Sequence, residues 1–247
     1  MRTAARILLA VALGATACNP GREAQTSDTT SDIPIGVYAA LTGDQAAFGN
    51  ATVMGVKLAT EEINAAGGVL GRKIKLVIED DAGRPDQASA VVTKLITSDA
   101  AIAVIGENSS NQSLAAAPIC QNAKVPMISP SSTNPAVTER GDYIFRVCFI
   151  DPYQGKALAA FAKNSLKLDT AAILVDKKND YSVGLAQFFR QEYEKLGGKI
   201  VAEQSYSGGD TEFRPQLTAI KTTSPQMLFI PGFYTEVGQI AIQTRDL

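Results

Sequence analysis

The strongest constraint on the fold is a regular alternation of short β-rich runs with longer amphipathic runs from Ile33 onward. Residues 33–41 read as a strand, and residues 50–68 carry apolar side chains at helical spacing before a glycine pair. The same order then repeats along the chain. Strands that alternate with helices predict parallel sheets covered by helices on both faces, so the predicted fold class is α/β.

A break in this alternation predicts two lobes. The pattern loosens after Asn134 and restarts at Asp151 and Pro152, which we interpret as a helix cap and the first helical residue. The predicted lobes are residues 33–150 and 151–247. The second lobe shows three strands before the sequence stops inside a helical pattern, so we expect that lobe to be incomplete.

The first 32 residues are predicted to direct the protein out of the cytoplasm. Residues 1–17 have a basic head, an apolar core and then small residues, as in a secretory signal peptide. "ATAC" resembles the lipobox of bacterial lipoproteins, so Cys18 is the predicted lipid-bearing residue; a plain signal peptide cleaved elsewhere is the alternative. Residues 18–32 are polar and predict a disordered tether. The expected location is the periplasm or the cell surface, with a lipid anchor in the membrane.

Export also allows disulfides. With Cys18 used for the lipid, Cys120 in a predicted helix and Cys148 in a predicted strand are a candidate disulfide pair. The alternative is two buried thiols that behave as small apolar residues.

Composition argues against several functions. The chain has no histidine, which removes the usual general base and the commonest transition-metal ligand. We therefore predict no catalytic residues and no metal or cofactor. Residues 79–81 are acidic, but no second acidic cluster joins them to form a metal site. The glycines of residues 67–71 come after a predicted helix and before a predicted strand, whereas a dinucleotide-binding turn runs from a strand into a helix. A formal net charge of −2 offers no broad basic surface for nucleic acid.

Two consecutive predicted strands end in hydroxyl-rich loops. Residues 107–111 follow "AIAVIG", and residues 129–134 follow "VPMI". In an open parallel sheet, ligands bind beyond the carboxyl ends of the strands. Hydroxyl donors beside the N-terminus of a helix favour a carboxylate. For residues 129–134 an ordinary turn is the alternative, because Ser, Asn and Pro are common turn residues.

Several segments resemble one family of receptors. They are "DDAGRPDQA", "VIGENSS", "PMISPSSTNP", "DYIFRVCFIDPYQG" and "GFYTEVGQ". They look like the periplasmic leucine/isoleucine/valine-binding family, the solute receptors of branched-chain amino acid ABC transporters. The resemblance implies the type I periplasmic-binding-protein fold, two Rossmann-like lobes with parallel central sheets that are joined by a hinge and hold the ligand between them.

The resemblance also implies a ligand site. The predicted ligand-binding residues are Phe48, Ser109, Ser110, Ser132, Thr133, Tyr181 and Phe233. Among them, Ser110 would bind the ligand carboxylate through its hydroxyl and amide, with Ser132 and Thr133 completing the clamp. Three aromatic side chains would line the cleft. The acidic partner of the ligand ammonium would lie beyond Leu247.

The implied function is solute binding for transport. The protein would capture a branched-chain or similar small amino-acid-like ligand and deliver it to permease subunits, as a monomer and without catalysis. A sensory or regulatory module with the same fold is the alternative. An enzyme would be a third candidate.

Overall fold

The computed structural model describes residues 31–247. Within this range, eight β-strands and seven α-helices alternate along the chain. The predicted signal peptide, the lipid site at Cys18 and most of the predicted tether lie outside the described residues.

The first lobe is built on a five-stranded sheet. Its strands are β1 (Ile33–Ala39), β2 (Ile74–Asp80), β3 (Ala103–Ile105), β4 (Met127–Ser129) and β5 (Ile144–Arg146). Its helices are α1 (Ala46–Ala65), α2 (Pro85–Thr97) and α3 (Ser110–Ala123). The strand order is β2-β1-β3-β4-β5, and every neighbouring pair is parallel. The predicted parallel α/β architecture is confirmed.

The second lobe repeats this plan with a three-stranded sheet. Its helices are α4 (Asp151–Ala160), α5 (Asp180–Lys195), α6 (Arg214–Lys221) and α7 (Tyr234–Arg245). Its strands are β6 (Thr170–Asp176), β7 (Lys199–Tyr206) and β8 (Met227–Phe229), paired in parallel in the order β7-β6-β8. Helix α4 packs mainly on α5, so it belongs with this lobe.

Apolar side chains bury both faces of each sheet. In the first lobe, α2 and α3 enclose a cluster that includes Leu95, Val104 and Met127, while α1 covers Val37 on the opposite face. Each such side chain contributes about 1.5 to 3 kcal/mol when fully buried. The sheets are therefore held rigidly, and the loops at their carboxyl ends are positioned by packed strands.

One glycine brings α1 close to the ligand end of the sheet. A Cβ atom at Gly49 would lie 1.9 Å from the carbonyl oxygen of Ala40, just beyond β1. Only glycine allows this approach of helix and backbone. As a result, the neighbouring Phe48 is held beside the loop that follows β1.

The junction between the lobes differs from the sequence prediction. Asp151 is the first residue of α4 and Ile150 is its N-cap, so Asp151 does not cap the helix. The Asp151 side chain is instead fully buried. Pro152, in the second helical position, still lies in the first turn, where its missing N–H costs no intrahelical bond.

The strand before this junction is shorter than predicted. It ends at Arg146, and Cys148 lies outside it. The Arg146 guanidinium donates hydrogen bonds to the carbonyls of Ser132 at 2.7 Å, Asn134 at 2.8 Å and Pro135 at 3.0 Å. One half-buried cation thus fixes the loop between β4 and the following 3-10 helix, Pro135–Arg140.

Candidate functional site

The two hydroxyl-rich loops lie side by side because β3 and β4 are neighbouring parallel strands. Ser110 is the first residue of α3, and Thr133 lies in the loop that follows β4. The Ser110 hydroxyl accepts a hydrogen bond from the amide of Asn134 at 3.3 Å, which leaves its own hydrogen free to donate. Both side chains are buried.

Glu107 organises these loops, although no motif in the sequence identified it as a site residue. Its buried carboxylate accepts from the amide of Ala40 at 3.0 Å and from the amide of Ser109 at 2.5 Å. Its carbonyl accepts from the hydroxyls of Ser129 at 2.7 Å and Ser132 at 2.9 Å. Three loops at the carboxyl end of the sheet therefore converge on one residue.

The structure does not bring two of the predicted contacts to a ligand cavity. The Ser132 hydroxyl is fully buried, and it lies 2.7 Å from the Ser113 hydroxyl as well as against the Glu107 carbonyl. Ser109 is the N-cap residue of α3 and is 1% exposed. Both side chains are buried, and neither lines the cavity between the lobes.

The other five predicted residues are brought together between the lobes. They line a cavity of about 320 Å³, to which we refer as the clamp cavity. Its predicted lining residues are Phe48, Ser110, Thr133, Tyr181 and Phe233. Its further lining residues are Asn108, Ser131, Phe149, Gln154, Gly232 and Tyr234.

Aromatic rings close the clamp cavity across the cleft. The ring of Phe48 lies 6.4 Å from that of Phe233 and 5.2 Å from that of Tyr234, measured between centroids. Tyr181 lies 5.4 Å from Phe233. These separations are typical of favourable aromatic pairs, so the rings supply an apolar contact surface that involves both lobes.

The polar groups of the clamp cavity suit an anion. Ser110 begins α3, where the helix leaves its first amides without intrahelical partners. The Ser110 hydroxyl can donate to a ligand group bound at these amides, and Thr133 also lines the cavity. The lining residues include no aspartate or glutamate. This combination of a helix N-terminus with hydroxyl donors matches the chemistry of a carboxylate.

Two buried groups lie close to this donor set. Burial raises the pKa of Asp151 to about 6, while the Thr133 side chain and Arg146 act in the opposite direction. Within residues 31–247, no donor lies in hydrogen-bonding position to either carboxylate oxygen of Asp151. Burial also raises the pKa of Tyr181, whose phenol lies near the Gln154 side chain. The second lobe therefore presents a neutral phenol to the cavity.

Hydrogen bonds between α3 and the start of α5 hold the lobes together. The Asn111 side chain donates to the Lys178 carbonyl at 3.1 Å and accepts from the Asp180 amide at 2.8 Å. The Asn134 side chain donates to the Asp180 carbonyl at 2.9 Å. These bonds and the aromatic contacts describe a closed arrangement of the two lobes.

The candidate disulfide is not formed. Cys120 and Cys148 are free thiols. Cys120, a residue of α3, packs in the core of the first lobe, and burial raises its pKa to about 12. The Cys148 sulfur instead lies 3.5 Å from the carbonyl of Ser132. The alternative interpretation, thiols that pack as small side chains, describes Cys120 best, since Cys148 is only half-buried.

The described part of the chain shows neither a metal-binding cluster nor a membrane-spanning helix. In residues 31–247, no three side chains among Cys, Asp and Glu are grouped so that they could hold a metal ion. No helix in that range combines the length and apolar character that a membrane span needs.

Comparisons with known proteins agree with this architecture. A family model described as periplasmic binding protein matches residues 32–243. An amino acid binding protein of Pseudomonas aeruginosa is 39% identical over 217 residues, which are 87% of this chain and 58% of that protein. The chain therefore spans less than two thirds of the length of that relative.

Solved structures show the same fold. A leucine binding protein, LivK, from Thermotoga maritima has a TM-score of 0.83 and 37% identity, over 87% of this chain and 60% of that one. LivJ of Streptococcus pneumoniae, solved in complex with isoleucine, has a TM-score of 0.82 and 36% identity, over 87% of this chain and 61% of that one. With its two-lobe parallel α/β fold and a family match over most of its length, the chain belongs to the periplasmic binding protein family.

Proposed function

We propose that the protein is an extracytoplasmic solute-binding component of an ABC transporter. It captures a small amino acid, of the branched-chain type or similar, between its lobes and presents the closed form to permease subunits. The observation that carries this proposal is the clamp cavity, in which Ser110 and Thr133 of the first lobe face Tyr181 and Phe233 of the second. The named ligands of the relatives, leucine and isoleucine, support the ligand class.

We infer that the clamp cavity serves ligand binding. Its lining offers hydroxyls, amides and aromatic rings, without a carboxylate or amine that could act as a general base. The carboxylate of an amino acid would accept from the Ser110 hydroxyl and from the first amides of α3. Its side chain would contact Phe48 and Phe233. We propose no catalytic residue and no cofactor for this site.

The proposed location follows the sequence of the first 32 residues. A lipid on Cys18 would hold the protein at the outer face of the membrane, where a monomer could meet the permease. Replacement of Cys18 by alanine is then expected to release the protein from the membrane fraction. Persistence of the variant in that fraction would contradict the anchor.

Calorimetry on the full-length protein tests the central proposal. We expect heats of binding with L-leucine, L-isoleucine or L-valine, and recovery of the ligand unchanged. Absence of heat with every amino acid tested would contradict amino-acid capture, and conversion of the ligand would show an enzyme. A sensory module is separated from a transport receptor by a second assay, because only a transport receptor should stimulate the ATPase of its reconstituted transporter when ligand is present.

A further inference from the structure

A second cavity adjoins the clamp cavity on the other side of Phe233. It has a volume of about 280 Å³, and both cavities share Gly232 and Phe233 as walls. Loops that follow β1 and β2 of the first lobe form one side. The ends of β6, β7 and β8 form the other side. We refer to it as the acidic cavity.

Two buried carboxylates face this space from the second lobe. Asp176 ends β6 and is 8% exposed, and Glu236 lies in the first turn of α7 and is 9% exposed. Each carboxylate accepts one backbone hydrogen bond, Asp176 from Lys178 at 3.1 Å and Glu236 from Gly209 at 2.9 Å. Among residues 31–247, the second oxygen of each carboxylate has no hydrogen-bond donor.

A buried phenol points to the same space. Tyr206 is 3% exposed and lines the acidic cavity. Its hydroxyl lies beside Gly232, where an added Cβ atom would be 2.6 Å away, and it has no hydrogen-bond partner within the described range. Burial raises the pKa of Tyr206, and the nearby Asp176 and Glu236 carboxylates raise it further. Three oxygen atoms without a hydrogen-bond partner in residues 31–247 therefore line the acidic cavity and are open to it.

The charge of the acidic cavity is not balanced by its own lining. Arg84 is the cationic side chain among the lining residues, and its guanidinium is exposed and bonded to Asp86 at 2.8 Å. Buried carboxylates are costly unless a positive group pairs with them. An ammonium or a guanidinium supplies both the charge and the several N–H donors that these oxygens lack.

The acidic cavity also spans the cleft. The Thr235 hydroxyl of the second lobe donates to the Asp44 carbonyl of the first lobe at 3.3 Å, and both residues line the cavity. A group bound here would therefore contact both lobes in their closed arrangement. A ligand group that contacts both lobes stabilises their closed arrangement, as a ligand in the clamp cavity would.

We propose that the acidic cavity is a cation subsite of the ligand cleft. It takes the ammonium or guanidinium at the far end of a ligand whose carboxylate lies in the clamp cavity. This inference rests on the proposed function and extends its ligand class to basic amino acids and ω-amino acids. Phe233 would contact the methylene chain that joins the two charged ends.

Calorimetry with charge-removing variants tests this inference. The full-length protein is titrated with L-leucine, L-lysine, L-arginine and 5-aminopentanoate. We expect at least one of the three long cationic ligands to bind, and the affinity for it relative to L-leucine to fall about tenfold or more in Glu236→Gln and in Asp176→Asn. Glu194→Gln, which removes an exposed carboxylate of α5, is the matched control and should leave the ratio unchanged.

The outcomes separate this inference from the proposed function. Binding of L-leucine without binding of any long cationic ligand would overturn the cation subsite alone, as would an unchanged ratio in both variants. No heat with any of the four ligands would count against both. Thermal denaturation checks folding, and if Asp176→Asn unfolds, then Glu236→Gln decides, because glutamine keeps an acceptor for the Gly209 amide.

Discussion

Ser132 and Thr133 are adjacent, yet their side chains serve different purposes. The Ser132 hydroxyl satisfies the buried Glu107 carbonyl at 2.9 Å, whereas Thr133 lines the clamp cavity. A loop has no fixed periodicity, so neighbouring hydroxyls can face opposite ways. The two residues therefore allow ligand binding and loop stability to be tested separately.

Single substitutions in the two hydroxyl-rich segments should separate affinity from stability. We expect Ser110→Ala and Thr133→Ala each to weaken amino-acid binding by about 1 to 3 kcal/mol, because a charged ligand group loses a buried hydrogen bond. Ser132→Ala should instead lower the free energy of unfolding by about 0.5 to 1.5 kcal/mol, since it removes one of the hydroxyl groups that bond to the buried Glu107 carbonyl. Calorimetry and urea denaturation measure the two effects. Equal affinity in wild type, Ser110→Ala and Thr133→Ala would contradict the clamp.

Glu107 should make the stability of the first lobe depend on pH. Burial, with a contribution from the nearby Asp81 carboxylate, raises the pKa of Glu107 from its usual 4.5 to about 7. In the unfolded chain the group loses its proton at lower pH than in the folded protein. The free energy of unfolding should therefore fall as pH rises from about 4.5 to about 7, by up to about 3 kcal/mol.

Denaturation at several pH values tests this slope. Glu107→Gln should flatten the fall between pH 4.5 and 7, and Asp81, whose pKa burial raises to about 6, should account for part of what remains. Glu61→Gln, at an exposed position of α1, is the matched control and should keep the wild-type slope. A Glu107→Gln profile parallel to that of wild type would refute the assignment.

At the scale of elements, α3 and α5 make the most direct polar contact between the lobes. Asn111 makes two hydrogen bonds across the cleft, to Lys178 and Asp180, and it does not line the clamp cavity. Asn64 likewise makes two hydrogen bonds, both to Ile74, but within the first lobe. The two asparagines form a matched pair for testing closure.

Removal of the Asn111 side chain should weaken ligand binding without any change to a ligand contact. In Asn111→Ala the closed form loses two hydrogen bonds, each worth about 0.5 to 1.5 kcal/mol, so the affinity should fall by about 1 to 2 kcal/mol. Asn64→Ala should lower the stability of the first lobe and leave the affinity nearly unchanged. Calorimetry on both variants measures this, and equal losses of affinity would show that closure does not depend on the α3 to α5 contact.

Elements were predictable from the sequence where local chemistry determines them. Pro85 begins α2, and Asn134 caps the 3-10 helix through a hydrogen bond from the Ala136 amide at 3.0 Å. The end of β5 was not predictable, because its apolar pattern continues to Ile150 while its pairing with β4 stops at Arg146. Pairing of strands depends on tertiary neighbours, which a local pattern does not encode.

At the scale of the whole molecule, the missing parts of the site prediction have one cause. Tyr234 and Gln154 line the clamp cavity from the second lobe, and no motif in the sequence identified them as site residues. Their positions at the cavity depend on how the two lobes meet. The sequence motifs identified the strand ends that face the cleft, but the fit of the lobes decides which side chains enclose a ligand.

Closure itself should depend on the ligand. The clamp cavity lies between lobes that contact each other at two places. Asn111 of the first lobe bonds to Asp180 of the second, and Phe48 of the first lobe contacts Tyr234 of the second. A ligand enclosed in this way must enter while the lobes are apart, so open and closed forms must exchange. Small-angle X-ray scattering of the full-length protein should show a smaller radius of gyration with a saturating amino acid than without it. Glucose at the same concentration is the control, since its neutral hydroxyls leave the carboxylate donors of Ser110 unused. Identical scattering with and without bound amino acid would mean that the closed form already predominates in the free protein, and that ligand contacts do not drive the lobes together.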